Sequence, residues 1–157
     1  MQVRSAEVND LVEIAELSRG LAAHVCDPDP GKDVALLSTC GLGADRWCEC
    51  VVAVAARRIV GFATYSRIFE AHTREKRLWV GDLYVRQEAR RGGAGRALFA
   101  ALVERAEALG CAGITLELAR GNDVARSFYA ALGAKPSDQL DVVRIPTVRW
   151  RRPDDVK

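Results

Sequence analysis

The stretch VRQEARRGGAGRAL, residues 85–98, decides the fold of this chain. It follows an apolar segment, 78–85, that predicts a strand, and it opens an amphipathic segment that predicts a helix to about Leu109. A glycine-rich turn between a strand and a helix directs several backbone N–H groups one way, and the positive end of the helix dipole adds to them. The turn is therefore predicted to bind a phosphate. The residues expected to form this phosphate cradle are Arg90, Arg91, Gly92, Gly93, Ala94, Gly95 and Arg96.

The spacing of the glycines excludes two common nucleotide loops. A Walker A loop needs Lys and then Ser or Thr after its last glycine, whereas Gly95 is followed by Arg96 and Ala97. A dinucleotide-binding loop needs a third glycine, and that position is Leu98. The pattern that remains is Arg-x-x-Gly-x-Gly over residues 90–95, and it resembles the acetyl-CoA pyrophosphate loop of the GNAT superfamily of N-acetyltransferases.

A second motif resembles another signature of the same family. A predicted strand, 114–118, is followed by GNDVARSFYAALGA, residues 121–134. The residues that match the pattern Asn-x-x-Ala-x-x-Phe-Tyr-x-x-Leu-Gly are Asn122, Ala125, Phe128, Tyr129, Leu132 and Gly133. One predicted helix and one predicted strand separate the two motifs, as in the family. The closest resemblance in pattern is to members similar to diamine acetyltransferases.

The resemblance implies an α/β fold of the α+β type. It implies a mixed, strongly twisted central sheet of about six to seven strands, flanked by about four helices, with a splay between the fourth and fifth strands. The whole chain, 1–157, is expected to form one acetyltransferase domain, and residues 151–157 are expected to fray at its end.

Hydrophobic periodicity and turn residues predict the elements of this fold. The predicted strands cover 3–5, 49–56, 59–69, 78–85, 114–118 and part of 141–150. The predicted helices run from the capping residues Asn9 and Asp10 to about Leu21, over 32–39, from the glycine turn to about Leu109, and over 123–132.

Acetyl-CoA is the cofactor that the resemblance implies. Its pyrophosphate is expected on the N–H groups of about 91–96, and its pantetheine arm on free backbone groups of Leu83, Tyr84 and Val85. Asn122 and Phe128 complete the expected cofactor-binding set. Asn122 could equally cap the helix that follows it.

The resemblance also assigns two catalytic residues. Tyr129 corresponds to the family tyrosine that donates a proton to the departing thiolate, although a tyrosine can also simply pack a helix. The segment 78–85 resembles the Leu-x-Leu-Glu-Asp-Leu-Tyr-Val strand of diamine acetyltransferase-like members, in which the glutamate is a candidate base. Gly81 replaces that glutamate, so Asp82 either takes the role or is structural, for example paired with an arginine. Glu117 and a water relay are the other candidates.

Composition excludes several classes of function. A formal net charge of +2 favours neither nucleic-acid nor membrane binding, and no apolar run or signal segment marks the chain for a membrane or for export. A cytoplasmic location is therefore expected. The five cysteines have irregular spacing and no nearby histidine pair, which favours free thiols over a metal site.

The predicted reaction is acetyl transfer from acetyl-CoA to a primary amine of a small molecule, such as a polyamine or an amino acid, by direct attack in a ternary complex. A non-enzymatic acyl-CoA sensor and a protein N-terminal or lysine acetyltransferase are the alternatives. A homodimer is possible on resemblance to the family.

Overall fold

The computed structural model describes residues 1–26, 35–137 and 140–144. The chain divides into two compact units, Met1–Ala119 and Arg120–Lys157. In the described part of the chain, the first unit holds every strand and two long helices, and the second unit holds one shorter helix.

The first unit is built on a five-stranded sheet in the order β1-β2-β3-β4-β5. Its strands are β1 (Gln2–Ser5), β2 (Glu49–Ala55), β3 (Arg58–Glu70), β4 (Glu75–Val85) and β5 (Gly113–Leu116). The first four pair antiparallel, and β4 pairs parallel with β5, so the sheet is mixed as predicted. The prediction of six to seven strands was too high for the described residues. Residues 141–144 of the last predicted strand form no β-ladder, and 145–150 lie outside the described residues.

Two helices cover the two faces of this sheet. Helix α1 (Leu11–Val25) lies on one face with a π-helical turn, Leu37–Leu42, and helix α2 (Ala94–Ala108) lies on the other. The predicted helix over 32–39 is described only from residue 35, and most of its described part is the π-helical turn. In the second unit, helix α3 (Asp123–Ala130) starts at the predicted residue and ends two residues earlier than predicted.

Two apolar clusters hold the helices to the sheet, as the alternation of strand side chains requires. The α2 face buries Ala63, Tyr65, Leu78, Val80, Val85, Leu98 and Leu102. The α1 face buries Ile14, Leu17, Leu42, Cys50, Val52, Ile59 and Phe62. Each strand residue can therefore be assigned to a face by the cluster that it joins.

Strand β4 starts earlier than the sequence predicts, for a reason visible in the structure. Strand β4 begins at Glu75, three residues before the predicted start, because β3 and β4 continue their pairing to Glu70 and Glu75. Arg77 forms ion pairs with both of these acids, at 3.1 Å and 2.6 Å, so polar residues that predicted a loop instead extend a hairpin.

Asp10 is the N-cap residue of α1, as the sequence predicts, but its side chain makes no capping hydrogen bond to that helix. The Asp10 carboxylate accepts hydrogen bonds from the backbone N–H of Glu7, at 2.7 Å, and from Arg4, at 2.6 Å and 2.9 Å. The Arg4 guanidinium lowers the pKa of this nearly buried carboxyl. Asp10 thereby connects β1 to the 3-10 turn Val8–Asp10, which directly precedes α1.

Candidate active site

The phosphate cradle occupies the predicted place, between β4 and α2. A short 3-10 turn, Gln87–Ala89, follows β4, and the chain then passes through left-handed conformations at Arg91 (φ 65°) and Gly93 (φ 85°). Gly93 is the N-cap of α2, and its carbonyl accepts the backbone N–H of Ala97 at 2.9 Å. The N–H groups from Gly93 to Arg96 precede the first intrahelical donor, so they are available to an anion.

The arginines of the cradle do not share one position. Arg90 turns back toward the strand, where its Nε donates to the carbonyl of Val85 at 3.1 Å and its guanidinium lies 5.5 Å from the centre of the Tyr84 ring. Arg91 and Arg96 are exposed beside the cradle. The structure thus brings the predicted loop residues together with Tyr84 and Val85, and all three arginines are exposed to solvent.

Strands β4 and β5 separate where the sequence predicts a splay. Their pairing runs from Arg77 opposite Gly113 to Val80 opposite Leu116 and then ends. Within the described ranges, residues 82–85 of β4 have a ladder partner on the β3 side only. At Leu83 and Tyr84, β4 therefore has no paired strand on the β5 side among the described residues.

A β-bulge at Gly81 sets the direction of the next side chain. Thr64 lies opposite Asp82 in the ladder, but Tyr65 lies opposite Val80, so Gly81 is the extra residue. Strict alternation would put residues 80 and 82 on the same face. Instead Val80 belongs to the α2 face, whereas Asp82 lies opposite Thr64, beside Phe62 of the α1 face.

The Asp82 carboxylate is exposed and is held by one side chain. Thr64 Oγ1 donates to Asp82 Oδ2 at 2.8 Å and accepts the backbone N–H of Asp82 at 3.0 Å. Among residues 1–26, 35–137 and 140–144, no arginine or lysine forms an ion pair with Asp82, so the arginine pairing considered from the sequence is not seen. Sequence reasoning missed Thr64, because only the β3–β4 register brings it to Asp82.

The second unit contains the other predicted site residues. Asn122 Oδ1 accepts the backbone N–H of Ala125 at 3.1 Å, so this side chain caps α3. The rings of Phe128 and Tyr129 meet edge to face, with 5.1 Å between their centres. Burial raises the pKa of the Tyr129 phenol, which keeps its proton in place at neutral pH. A protonated phenol is the form that a general acid needs.

Glu117 and the cysteines do not form a second cluster of catalytic or metal-binding side chains in the described part of the chain. Glu117, the alternative base, is exposed just beyond the end of β5. None of the cysteines is in a disulfide, and burial raises the pKa of the Cys50 thiol to about 12, which makes it a poor nucleophile. Within the described ranges, no group of three or more His, Cys, Asp or Glu side chains could hold a metal ion. No helix there is long and apolar enough to cross a membrane.

Solved structures share this fold. An integron cassette protein from the mobile metagenome of V. cholerae matches with a TM-score of 0.80 and 21% identity, over 92% of this chain and 91% of that one. A ribosomal-protein-alanine N-acetyltransferase from Brucella melitensis biovar Abortus 2308 matches with a TM-score of 0.74 and 23% identity, over 92% and 100%. An aminoglycoside acetyltransferase from an uncultured soil metagenomic sample matches with a TM-score of 0.76 and 19% identity, over 92% and 95%.

Sequence comparison identifies the family of the chain. A search of curated proteins finds no significant match. Residues 13–134, by contrast, match the acetyltransferase (GNAT) family, and this range includes both the phosphate cradle and the Asn122 motif. The predicted fold is therefore confirmed, and the chain belongs to the GNAT family of acetyltransferases.

Proposed function

We propose that this protein transfers the acetyl group of acetyl-CoA to a primary amine of a small molecule. The observation that carries the proposal is that the end of β4, which is paired on one side only, leads directly to the N-terminus of α2. Both elements belong to the first unit of the chain. Members of the GNAT family use acetyl-CoA in general. The phosphate cradle and the open β4 backbone match the two halves of that cofactor, a pyrophosphate and an extended amide arm.

The residues of the cradle fit a pyrophosphate. A Cβ on Gly93 would have only the Met1 Cε atom within 4 Å, at 3.7 Å, so the turn is not crowded on that side. Arg91 and Arg96 are exposed at the same turn and can balance phosphate charge. Leu83 and Tyr84 can pair with the amide arm as a neighbouring strand would.

Two residues of the chain would move the protons of the reaction. Bound acetyl-CoA supplies an acetyl group activated as a thioester. Asp82 accepts a proton from the incoming ammonium, so that the amine is neutral when its nitrogen forms the new C–N bond. Tyr129 donates its phenolic proton to the sulfur as the C–S bond breaks, and it recovers a proton from the nitrogen of the new amide. A positioned acid of this kind contributes roughly 10²- to 10⁴-fold to the rate.

The sequence and the similar structures suggest several classes of acceptor amine. Gly81 stands where diamine acetyltransferase-like members carry a glutamate, so a polyamine is one candidate among several. The similar structures include an aminoglycoside acetyltransferase and a ribosomal-protein-alanine N-acetyltransferase, which adds aminoglycosides and peptide N-termini to the panel. The small net charge favours a small molecule over a macromolecule. We also propose that the whole chain works as one acetyltransferase domain in the cytoplasm, with a homodimer possible on family resemblance.

The first test is thiol release from acetyl-CoA with polyamines, amino acids, aminoglycosides, arylamines and short peptides. We expect release with one class of amine, and at least a 10²-fold lower kcat in Tyr129→Phe with unchanged acetyl-CoA affinity. Equal turnover by Tyr129→Phe would exclude the phenol as the acid. Acetyl-CoA binding without release on any acceptor would contradict the proposal and favour an acyl-CoA sensor.

A further inference from the structure

The Asp82 side chain owes its direction to its neighbour on β3. The bulge at Gly81 places Asp82 on the α1 face of the sheet, directly opposite Thr64 in the ladder. Thr64 is only 7% exposed, whereas Asp82 is exposed to solvent. One partner is therefore fixed by packing, and the other can meet a substrate.

The Thr64 hydroxyl contacts Asp82 at two atoms. Its oxygen accepts the Asp82 backbone N–H at 3.0 Å, which leaves its own proton for Asp82 Oδ2 at 2.8 Å. The two bonds close a small ring that fixes the Asp82 side chain relative to its own backbone. Both distances lie within the usual range for hydrogen bonds. The bond to the carboxylate is charge-assisted and therefore the stronger of the two.

Gly81 leaves the space that this ring needs. A Cβ at position 81 would lie 3.1 Å from Thr64 Oγ1, which is tighter than ordinary van der Waals contact. Any side chain there would press on the hydroxyl that holds Asp82. The glycine that replaces the glutamate of the diamine acetyltransferase-like strand is thus compatible with a Thr64–Asp82 pair, and a larger residue would disturb it.

We propose that Thr64 is a positioning residue for acetyl transfer, which holds the Asp82 carboxylate in the orientation that accepts the proton of the acceptor ammonium. This proposal rests on the proposed function, because it assumes that Asp82 is the base. The inferred role has two parts. Thr64 holds Oδ2, and Oδ1 remains the atom that takes the proton.

The test is a double-mutant cycle between Thr64 and Asp82, with kcat and KM measured for the best acceptor. Thr64→Val keeps the shape of the side chain and removes both hydrogen bonds, so we expect kcat to fall about tenfold, as for the loss of one bond to a charged group. Thr64→Ser keeps the hydroxyl and should stay within about twofold of the native enzyme. In an Asp82→Asn background, Thr64→Val should have no further effect, because coupled residues are not additive.

The controls separate positioning from folding. Ser66→Ala removes another hydroxyl two residues along β3, one that donates to the Trp47 carbonyl at 2.9 Å and not to Asp82, and it should leave kcat unchanged. Acetyl-CoA affinity and the unfolding midpoint should be similar in all variants. If Thr64→Ser is as slow as Thr64→Val, or if the Thr64→Val and Asp82→Asn losses simply add, the role is packing and the proposal is overturned.

The outcomes also distinguish this inference from the proposed function. A native enzyme that acetylates no amine would contradict the proposed function, and the inference with it. An active native enzyme whose Asp82→Asn variant is equally fast would leave the function intact and overturn the inference alone. Gly81→Ala gives an independent check, because its Cβ should displace the Thr64 hydroxyl and lower kcat as Thr64→Val does, with acetyl-CoA affinity unchanged.

Discussion

The phosphate cradle can be tested by one charge at Gly93. This residue is the N-cap of α2 with φ 85°, a conformation that Asn and Asp adopt more readily than other L residues. Asn and Asp have nearly the same shape, and a Cβ at this position would lie 3.7 Å from its nearest neighbour, the Met1 Cε atom. Gly93→Asn and Gly93→Asp therefore share their backbone strain and differ in a single negative charge.

The expected difference in binding follows from Coulomb's law. A pyrophosphate on the N–H groups of residues 93–96 would lie within about 5 Å of a carboxylate at 93, and at an effective dielectric constant of about 20 the repulsion per charge pair is about 3 kcal/mol. That energy weakens Kd for acetyl-CoA by roughly 100-fold in Gly93→Asp relative to Gly93→Asn. The same carboxylate stabilises the helix N-terminus by about 0.3–1 kcal/mol. The unfolding temperature of Gly93→Asp should therefore equal or slightly exceed that of Gly93→Asn.

The added charge should thus weaken acetyl-CoA binding without lowering the stability of the fold. Calorimetric titration with acetyl-CoA gives Kd for both variants, and thermal unfolding without ligand gives their stability. The difference in Kd should shrink at high salt, because exposed charges are screened. Equal affinities in Gly93→Asn and Gly93→Asp, with both variants folded, would show that the pyrophosphate does not bind at this turn.

Three further predictions concern the base, the core and alkaline pH. Asp82→Asn should lower kcat by at least about 10²-fold, and a kcat equal to that of the native enzyme would show that another group takes the proton. Leu98→Ala, at a fully buried position on α2, should reduce the free energy of unfolding by about 2–5 kcal/mol in urea titrations. Val103→Ala, on the exposed side of α2, should cost far less, and equal losses would contradict the packing described. Burial and the hydrogen bond to Glu49 raise the pKa of Tyr65 to about 12, from about 10 in the unfolded chain, so the folded state keeps a proton that the unfolded state loses. Stability should therefore fall between pH 10 and 12, and Tyr65→Phe should show a smaller fall in the same titration.

The parts of the site that depend on short-range sequence were predictable. The turn from Arg90 to Arg96 needs glycine at a left-handed position and a helix after it, and both requirements are visible in the sequence. Asn122 stands immediately before α3 for the same local reason, since its side chain caps that helix.

The parts that depend on pairing between strands were not predictable. The bulge at Gly81 shifts the alternation of β4 by one residue, and periodicity alone puts Asp82 on the wrong face. Thr64 gives no signal as an isolated threonine, because its importance comes from the residue opposite it. The extra strand residues from Glu75 also escaped prediction, since ion pairs with Arg77 support a polar segment that would otherwise be a turn.

The half-paired end of β4 has a consequence for solubility. Unsatisfied strand edges are the places where folded proteins join to one another and aggregate, and natural proteins protect them with bulges and charges. Here the bulge at Gly81, the carboxylate of Asp82 and the guanidinium of Arg90 on the Val85 carbonyl surround the open backbone at Leu83 and Tyr84. The bulge and the charged side chains at this edge therefore also oppose its pairing with a strand of a misfolded neighbour.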